Sequence, residues 1–335
     1  MKRTRLFMML SAFALLSACQ KETDIFDGPS LNDIYGEFSL LQPLEVTDDA
    51  IDFAAGELAV FTASFSKNVN WTIRITGNES GAVKEISGFS NILSADNATW
   101  NGSTTSLPMF RAEDCSVELF FENEEETYSL SLSVVSPKVN TGLLLEDFEG
   151  AWNPGWGSFV QSGADMSFVI KDDGQAAQGS QYYDMGGEVG WDYLIGLIDI
   201  PGSAYGAPTF DLSANPDNVF FNVLLAKQPG LNNAIVLFQF REDDNGDGVY
   251  TEGEEDMFSL ELLLNGENGW QLVSKKYADL VTLVNGAPAA AIGNGINEPD
   301  KLFQVSILML ANPATGYSQA LMDYLIFTEN APLEP

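Results

Sequence analysis

The sequence predicts an all-β protein made of two β-sandwich domains, one after the other. Short runs of β-branched and aromatic residues recur along the chain, with turn-forming residues between them. No segment shows the spacing of apolar residues that a helix requires. With 335 residues, of which 45% are hydrophobic, the chain is long enough for two domains that each bury a core.

The first 19 residues have the pattern of a signal peptide. Basic residues precede an apolar run, residues 6–16, which is too short to span a bilayer. The run ends Leu16-Ser17-Ala18-Cys19, which resembles the lipobox of bacterial lipoproteins. That resemblance implies that Cys19 is lipidated and becomes the first residue of the mature chain. The alternative is an ordinary cleaved signal peptide with an accidental cysteine.

Residues 20–42 are predicted to form a tether between the membrane and the folded part, because they contain Asp27-Gly28-Pro29-Ser30 and show little periodicity. The tether begins Gln20-Lys21-Glu22-Thr23-Asp24, which resembles the lysine-plus-acidic export signal of Bacteroidota surface lipoproteins. The resemblance implies a lipid-anchored protein of the outer membrane that faces the cell exterior. Lipidation of Cys19 leaves Cys115 without a disulfide partner, so Cys115 is predicted to be a small buried apolar residue.

The first domain is predicted to span residues 43–137 as a β-sandwich of short strands, among them Leu58–Ser66 and Asn70–Thr76. Alternation places Trp71 on the same face as Ile73, so Trp71 is predicted to lie in the core. This domain resembles the Ig-like module of the flagellar hook-capping protein and of many bacterial surface proteins. The motifs that carry the resemblance are Trp71-Thr72-Ile73-Arg74-Ile75-Thr76-Gly77, Ile86-Ser87-Gly88, Trp100-Asn101-Gly102 and Val117-Glu118-Leu119. It implies an Ig-like spacer or assembly element that carries no chemistry.

The second domain, residues 141–330, is predicted to contain about eight strands, which suggests a jelly-roll β-sandwich. Its opening strand is predicted to end in Phe148-Glu149, and Asp323 lies in its predicted closing strand. This pattern resembles the galactose-binding-like jelly rolls, which include many carbohydrate-binding modules. In that family the two positions lie near each other and often bind a structural calcium ion. The resemblance therefore implies a calcium site at Glu149 and Asp323.

An acidic stretch between two strand-like runs of the second domain has the ligand order of an EF-hand calcium loop. Counted from Asp243, oxygen-bearing side chains stand at positions 1, 3 and 5, a glycine at position 6 and a glutamate at position 12. Ca²⁺ binds several oxygen ligands at once. The pattern therefore predicts a calcium site at residues 243–254, whose ligands are Asp243, Asn245, Asp247, the Val249 carbonyl, Thr251 through a water, and Glu254.

The runs on either side of this loop, residues 234–240 and 257–262, have the composition and alternation of strands. The loop is therefore predicted to be the tip of a β-hairpin and not part of a helix–loop–helix unit. A calcium ion in such a hairpin is expected to be structural, because there is no helix pair for it to open. The alternative is a solvated acidic hairpin tip that binds no metal.

Two loops of the second domain carry aromatic residues that suit a sugar. The apolar C–H faces of sugar rings stack on aromatic rings, while amides and carboxylates bind the hydroxyl groups. Trp152 and Trp156 lie in a Gly/Pro-rich loop, and Trp191, Asp192 and Tyr193 lie in a second loop. These five residues are the predicted ligand-binding set. The alternative is that the aromatic residues belong to the core and close the ends of the sandwich.

The formal net charge is -33 and the chain contains no histidine. Such a charge disfavours nucleic acids, anionic membranes and polyanionic glycans as partners. Without histidine the chain cannot build a Ser-His-Asp or Cys-His nucleophile, nor a zinc site with histidine ligands. A glycosidase would need two convergent carboxylates, which a sequence does not show. The chain is therefore predicted not to be an enzyme.

These patterns predict a non-catalytic, calcium-stabilised surface lipoprotein that binds a neutral poly- or oligosaccharide through its second domain. The alternative is a structural or adhesin subunit whose partner is another surface protein, such as an outer-membrane transporter. An exposed apolar patch would mark the site in the alternative, whereas an aromatic site would mark glycan binding.

Overall fold

The computed structural model describes residues 36–190, 193–228, 230–231, 235–264, 269–311 and 316–335. Its regular structure in these ranges consists of strands and of five 3₁₀ helices of three or four residues, which confirms the predicted all-β fold class. The 3₁₀ helices are Phe53–Ala55, Gly202–Tyr205, Pro216–Asn218, Tyr277–Asp279 and Pro299–Lys301. None of the helices described is long and apolar enough to cross a membrane.

The predicted signal peptide, Cys19 and residues 20–35 of the predicted tether lie outside the described residues. The rest of the tether differs from the prediction, because the first strand already begins at Leu40. Apolar side chains explain this early start. Phe38 packs against the core of the N-terminal unit, with its ring centroid 4.6 Å from that of Phe121.

The strands of the N-terminal unit join into one seven-stranded sheet with the order β1-β3-β6-β7-β2, to which β4 and β5 add by pairing with β3. The strands are β1 (Leu40–Val46), β2 (Ala50–Asp52), β3 (Ala59–Gly77), β4 (Val83–Leu93), β5 (Thr99–Trp100), β6 (Glu113–Phe121) and β7 (Thr127–Ser136). Strand β2 runs parallel to β7, and the other pairs are antiparallel. The continuous sheet encloses one hydrophobic core.

The long strand β3 replaces the two strands predicted at Leu58–Ser66 and Asn70–Thr76. Burial alternates along nearly all of its 19 residues. The same inward-facing and outward-facing sides therefore continue through both predicted strands. The irregularity is at Lys67, which stands on the inward-facing side of the pleat but extends its amine 2.8 Å to Glu124. The register with β4 also shifts between Ser64 and Val69. The sequence break is therefore a β-bulge within one strand and not a turn.

Trp71 lies in the core of the N-terminal unit, as predicted. It is opposite Gly88 on β4, and a Cβ atom at Gly88 would lie only 2.4 Å from the Trp71 ring. Because Gly88 has no side chain, the indole of Trp71 can pack directly against the backbone of β4. The indole N–H donates to Ser90 Oγ at 2.9 Å.

Cys115 is fully buried in β6, as the sequence predicts for a small apolar residue. Burial raises the pKa of its thiol to about 12, so the reactive thiolate is scarce at neutral pH. We expect a thiol-specific reagent at pH 8 to leave Cys115 unmodified in the native protein and to label it fully in denaturant. Fast labelling of the native protein would contradict this packing.

The C-terminal unit is a sandwich of two antiparallel sheets. The six-stranded sheet has the order β10-β11-β20-β13-β16, with β8 added to β20, and the five-stranded sheet has the order β15-β14-β19-β12-β9. Its strands, with the small pair β17 and β18, are β8 (Leu143–Glu146), β9 (Gly157–Val160), β10 (Asp165–Lys171), β11 (Tyr182–Glu188), β12 (Leu194–Pro201), β13 (Val219–Ala226), β14 (Ile235–Glu242), β15 (Met257–Leu263), β16 (Gln271–Lys276), β17 (Leu283–Val284), β18 (Ala287–Pro288), β19 (Leu302–Leu310) and β20 (Ser318–Glu329).

The core of this unit lies between the two sheets and is rich in aromatic rings. Phe221 is central, with ring centroids of Phe238, Phe240 and Phe327 at 5.0, 5.1 and 5.4 Å. These side chains come from both sheets, as alternation in a sandwich requires. Burying these rings contributes to the hydrophobic driving force for this unit.

The outer face of the six-stranded sheet is covered over much of its area. Met109 of the N-terminal unit and Leu333 of the C-terminal tail join Leu224 and Ile326 in one buried cluster. Backbone hydrogen bonds reinforce the contact, such as the one from Met109 N–H to the Ala177 carbonyl at 2.7 Å. The five-stranded sheet lies on the opposite side of the sandwich.

Candidate metal sites and ligand-binding face

The acidic loop is the tip of a β-hairpin, as predicted, because β14 and β15 pair in antiparallel register on either side of it. The loop folds around the carboxylate of Asp243, which is only 4% exposed. Its Oδ1 accepts the N–H groups of Gly246 and Asp247 at 2.8 and 3.1 Å, and its Oδ2 accepts that of Gly248 at 2.8 Å. Both glycines have positive φ angles of 74° and 81°, which a residue with Cβ adopts at a cost.

Asn245 and Asp247 each turn the loop locally. The Asn245 side-chain oxygen accepts the Asp247 N–H at 2.9 Å, and the Asp247 carboxylate accepts the Val249 N–H at 2.9 Å. Asp243, Asn245 and Asp247, the oxygen-bearing residues at positions 1, 3 and 5 of the predicted loop, are therefore the residues that shape it. Each of these side chains can offer an oxygen ligand, which suits a hard cation such as Ca²⁺.

The glutamate that faces the interior of this loop is not the predicted one. Glu254 is exposed, whereas the next residue, Glu255, is 2% exposed and turned inward. Glu255 accepts the Thr251 N–H at 2.6 Å and the Asn245 N–H at 3.3 Å. The physical reason is a tight turn in which the N–H groups of both glutamates donate to the Thr251 carbonyl, so that the later residue faces the loop interior.

Three carboxylates beside the loop converge at a place where the sequence pattern predicted no site. Glu242, Asp244 and Glu298 each place a carboxylate oxygen within 4.8 Å of the others, so this cluster could hold a metal ion. Within the described residues, no other three acidic side chains approach one another so closely, including those of the loop itself. Glu242 carries the one signal that could have revealed the site, since it continues the inward-facing series Val236, Phe238, Phe240 with a carboxylate.

Glu149 and Asp323, the pair implied by family resemblance, hold the same loop. The Glu149 carboxylate accepts the N–H groups of Ser180 and Gln181, both at 2.7 Å. Oδ2 of Asp323 accepts the N–H groups of Ala177 and Gln178, both at 2.8 Å. Burial, with a contribution from the charge of Glu149, raises the pKa of Asp323 well above its ordinary value. The two carboxylates are therefore joined through residues 177–181.

The fit of this pair to a cation rests on Asp323. Its Oδ1 is buried and has no hydrogen-bond partner within the described residues. A buried carboxylate oxygen without a partner is costly, and a cation shared with Glu149 would satisfy it. Since Asp323 lies in β20, at the middle of the six-stranded sheet, the site would fasten a loop to the centre of the fold.

The aromatic residues of the predicted ligand set differ in their exposure. Trp156 is 8% exposed and belongs to the core, so the prediction that it is a sugar platform is wrong in this structure. The reason is packing against Trp152, whose centroid lies 5.2 Å away. Trp152 itself is half-buried and lines a shallow hollow with Phe168. Tyr193 is exposed, whereas the predicted ligands Trp191 and Asp192 lie outside the described residues.

The outer face of the five-stranded sheet carries an apolar row beside a polar row. Because Ile198, Phe238 and Ile307 point into the core, their strand neighbours point outward. The register aligns Phe159, Leu197, Leu308 and Leu237 across four strands in the apolar row, and Asp199, Ser306 and Gln239 across three strands in the polar row. Phe159, at the edge strand, is 47% exposed.

The polar row continues toward the acidic hairpin. Arg241 places its guanidinium carbon 5.5 Å from the centroid of the Tyr250 ring, and its Nη1 lies 3.9 Å from Asp199 Oδ1. Gln304 donates to the same Asp199 oxygen at 2.8 Å. The side chains are thus held in fixed orientations by one another. Such a preorganised face, with an aromatic ring at each end, can bind a ligand that is apolar on one side and rich in hydroxyl groups on the other.

No protein-family model matches the chain, and no curated protein matches it. Solved structures match the chain at low similarity. The family 11 carbohydrate-binding module of the cellulosomal cellulase Lic26A-Cel5E of Clostridium thermocellum is 15% identical, with a TM-score of 0.40, and the match covers 57% of this chain and 96% of that one. SGBP-B from a complex xyloglucan utilization locus in Bacteroides uniformis is 12% identical, with a TM-score of 0.31, and the match covers 88% of this chain and 72% of that one.

A third structure, of carbohydrate-binding modules from the β-sandwich superfamily, is 10% identical with a TM-score of 0.39. The match covers 88% of this chain and 99% of that one. At such identities and TM-scores, these likenesses do not bear on what the chain binds. The functional assignment therefore has to come from its own residues.

Proposed function

We propose that this protein is a non-catalytic, calcium-stabilised lipoprotein of the outer membrane that binds a neutral poly- or oligosaccharide through its C-terminal sandwich. The observation that carries the proposal is the outer face of the five-stranded sheet, where an apolar row and a polar row lie side by side. The lipidated Cys19 and the surface location are supported by the lipobox and the export signal of the sequence. The absence of histidine from the chain supports a role in binding over catalysis.

The chemistry of the face matches that of a sugar chain. Tyr250 and Phe159 offer aromatic rings on which the C–H face of a pyranose can stack. Asp199, Gln304 and Gln239 offer oxygen and amide groups to the hydroxyl groups, and Arg241 adds a charged donor. A neutral glycan fits better than an acidic one, because the chain has a net charge of -33.

Calcium has a structural part in this proposal. Asp243, Asn245 and Asp247, with the Val249 carbonyl, Thr251 and the inward-facing Glu255, would hold one ion in the hairpin, and Glu149 and Asp323 would hold another. Each ion would supply positive charge where carboxylates are crowded. The loop positions Tyr250, so that a firmly folded hairpin keeps its ring beside Arg241 at the end of the polar row.

The test is retardation of the mature protein, with calcium present, in native gels that contain a panel of soluble neutral polysaccharides. We expect at least one polysaccharide to retard the wild type, and we expect Tyr250→Ala and Phe159→Ala each to weaken binding by roughly tenfold or more, about 1.4 kcal/mol. Phe89→Ala is the matched control, because Phe89 is an exposed aromatic residue of the N-terminal unit. It should be retarded like the wild type.

The same gels distinguish the loop of Trp191 and Tyr193 from the sheet face. If Trp191→Ala or Tyr193→Ala abolishes retardation while Tyr250→Ala and Phe159→Ala do not, the ligand binds at the predicted aromatic loop. Retardation by none of the polysaccharides would contradict the glycan proposal. Circular dichroism of each variant shows whether a loss comes from unfolding.

A second candidate function is a structural or adhesin subunit that binds another surface or outer-membrane protein, such as a transporter. It is favoured by Phe89 and Ile92 on β4, which are 67% and 50% exposed. Large apolar side chains that are exposed close together are typical of protein-binding surfaces. Cross-linking in intact outer membranes, with wild type and Phe89→Ala, would reveal such a partner.

A further inference from the structure

The base of the acidic hairpin holds an unusual arrangement of charge. Glu242 is 0% exposed and Asp244 and Glu298 are half-buried, and one oxygen of each lies within 4.8 Å of the others. Two ligands on opposite sides of a calcium ion lie about 5 Å apart, since each Ca–O distance is about 2.3–2.6 Å. The separation of the three carboxylates therefore matches the diameter of a calcium coordination sphere.

Two oxygen atoms in this cluster have no partner. Glu242 Oε2 and Asp244 Oδ1 are both buried and accept no hydrogen bond within the described residues. The opposite oxygens are fully used: Glu242 Oε1 accepts the Tyr277 hydroxyl at 2.8 Å and the Glu298 N–H at 2.9 Å, and Asp244 Oδ2 accepts the Asp256 N–H at 3.0 Å. The side chains are thus held by one oxygen each while the other remains available.

We propose that Glu242, Asp244 and Glu298 form a calcium site that is separate from the loop site at residues 243–254. The Asp243 carboxylate accepts N–H groups of the loop, whereas the carboxylates of Glu242 and Asp244 converge with that of Glu298. Glu298 comes from the segment that precedes the 3₁₀ helix Pro299–Lys301. Neither glycan binding nor an ion in the loop is needed for this inference.

A lysine side chain brings positive charge to the cluster. Lys301 donates to Glu298 Oε2 at 2.9 Å and to the Asp244 backbone carbonyl at 3.2 Å. One lysine does not balance three carboxylates. The buried oxygen atoms Glu242 Oε2 and Asp244 Oδ1 therefore still need a source of positive charge. A divalent cation would supply that charge.

The ion would tie two distant parts of the chain together. The hairpin base already holds the segment before Glu298, because Asp256 accepts the N–H groups of Gly293 and Gly295 at 3.1 and 2.6 Å. A calcium ion between Glu242 and Glu298 would extend this attachment to the end of the segment. Residues 293–301 would therefore be fastened to the hairpin through carboxylates at both ends.

The experiment compares bound calcium and thermal stability for the wild type and Glu242→Gln. Equilibrium dialysis against calcium should show that the variant binds one ion fewer. The variant should also show a smaller rise in melting temperature when chelator is replaced by calcium. In chelator it should be at least as stable as the wild type, because glutamine removes a buried carboxylate that has no counter-ion.

Three further variants make the outcome decisive. Glu298→Gln, at a half-buried position, should lose the same ion as Glu242→Gln even if the latter folds poorly. Asp247→Asn should lose a different ion or none, and the exposed Glu252→Gln is the matched control that should behave as wild type. Unchanged stoichiometry and an unchanged calcium response in both glutamine variants would overturn the proposal. If Glu242→Gln and Asp247→Asn lose the same single calcium ion, the cluster and the loop form one site, and the proposal of a separate site is wrong.

Discussion

Replacing Asn222 with leucine is expected to lower the free energy of unfolding by about 3 to 5 kcal/mol, because several buried polar groups lose their partners at once. Asn222 is fully buried in β13. Its amide group donates to the carbonyls of Phe220 and Ile326 and to the Thr328 hydroxyl at 3.0–3.2 Å. Its oxygen accepts the Leu333 N–H at 3.1 Å and the Ser274 hydroxyl at 2.6 Å.

The substitution should also release the C-terminal tail. The hydrogen bond to Leu333 fixes the tail where its side chain packs beside Met109 of the N-terminal unit. Urea denaturation measures the stability loss, and carboxypeptidase digestion measures exposure of the tail. The control is Asn91→Leu at an exposed position of β4, which should change stability by less than about 0.5 kcal/mol. A loss of under about 1 kcal/mol for Asn222→Leu would contradict this role, since even one buried group without a partner costs that much.

The sequence predicted the fold class well because alternation is a local property. Every second residue of strand β14 is predicted to face the core, and the structure buries these residues. Continuity between strands is less local. Lys67 interrupts the pattern of β3 in the sequence, yet its long side chain reaches Glu124, so the strand continues where a turn was expected.

The sites were harder to predict because they depend on contacts between distant residues. Family resemblance implied a calcium site at Glu149 and Asp323, and in the structure both carboxylates hold residues 177–181. Spacing predicted Glu254 as a ligand in the hairpin loop, but a single turn at Thr251 leaves Glu254 exposed and turns Glu255 inward. Trp156 was assigned to a binding surface on composition alone, whereas neighbours from other strands decide its burial. The cluster at Glu242 needs Glu298, whose approach no local pattern could reveal.

Removal of calcium is expected to destabilise the C-terminal unit strongly, with a marked share of the effect at Glu149 and Asp323. An ion that binds only the folded state contributes about 2.7 kcal/mol at a free concentration of 100 times its Kd. Excess chelator should therefore lower the melting temperature of the wild type. An unchanged melting temperature would argue against any stabilising calcium site.

The variants Asp323→Asn and Glu149→Gln assign the effect to this pair. Each keeps the size of the side chain, and each should bind one calcium ion fewer than the wild type and respond less to chelator. Protease cleavage near residues 177–181 should become faster, because both carboxylates hold the backbone of that loop. Glu188→Gln, at an exposed position at the end of β11, is the control. If Asp323→Asn and Glu149→Gln keep the wild-type stoichiometry, the pair is an ion-free clamp on the loop, and the stabilisation by calcium must arise at the hairpin.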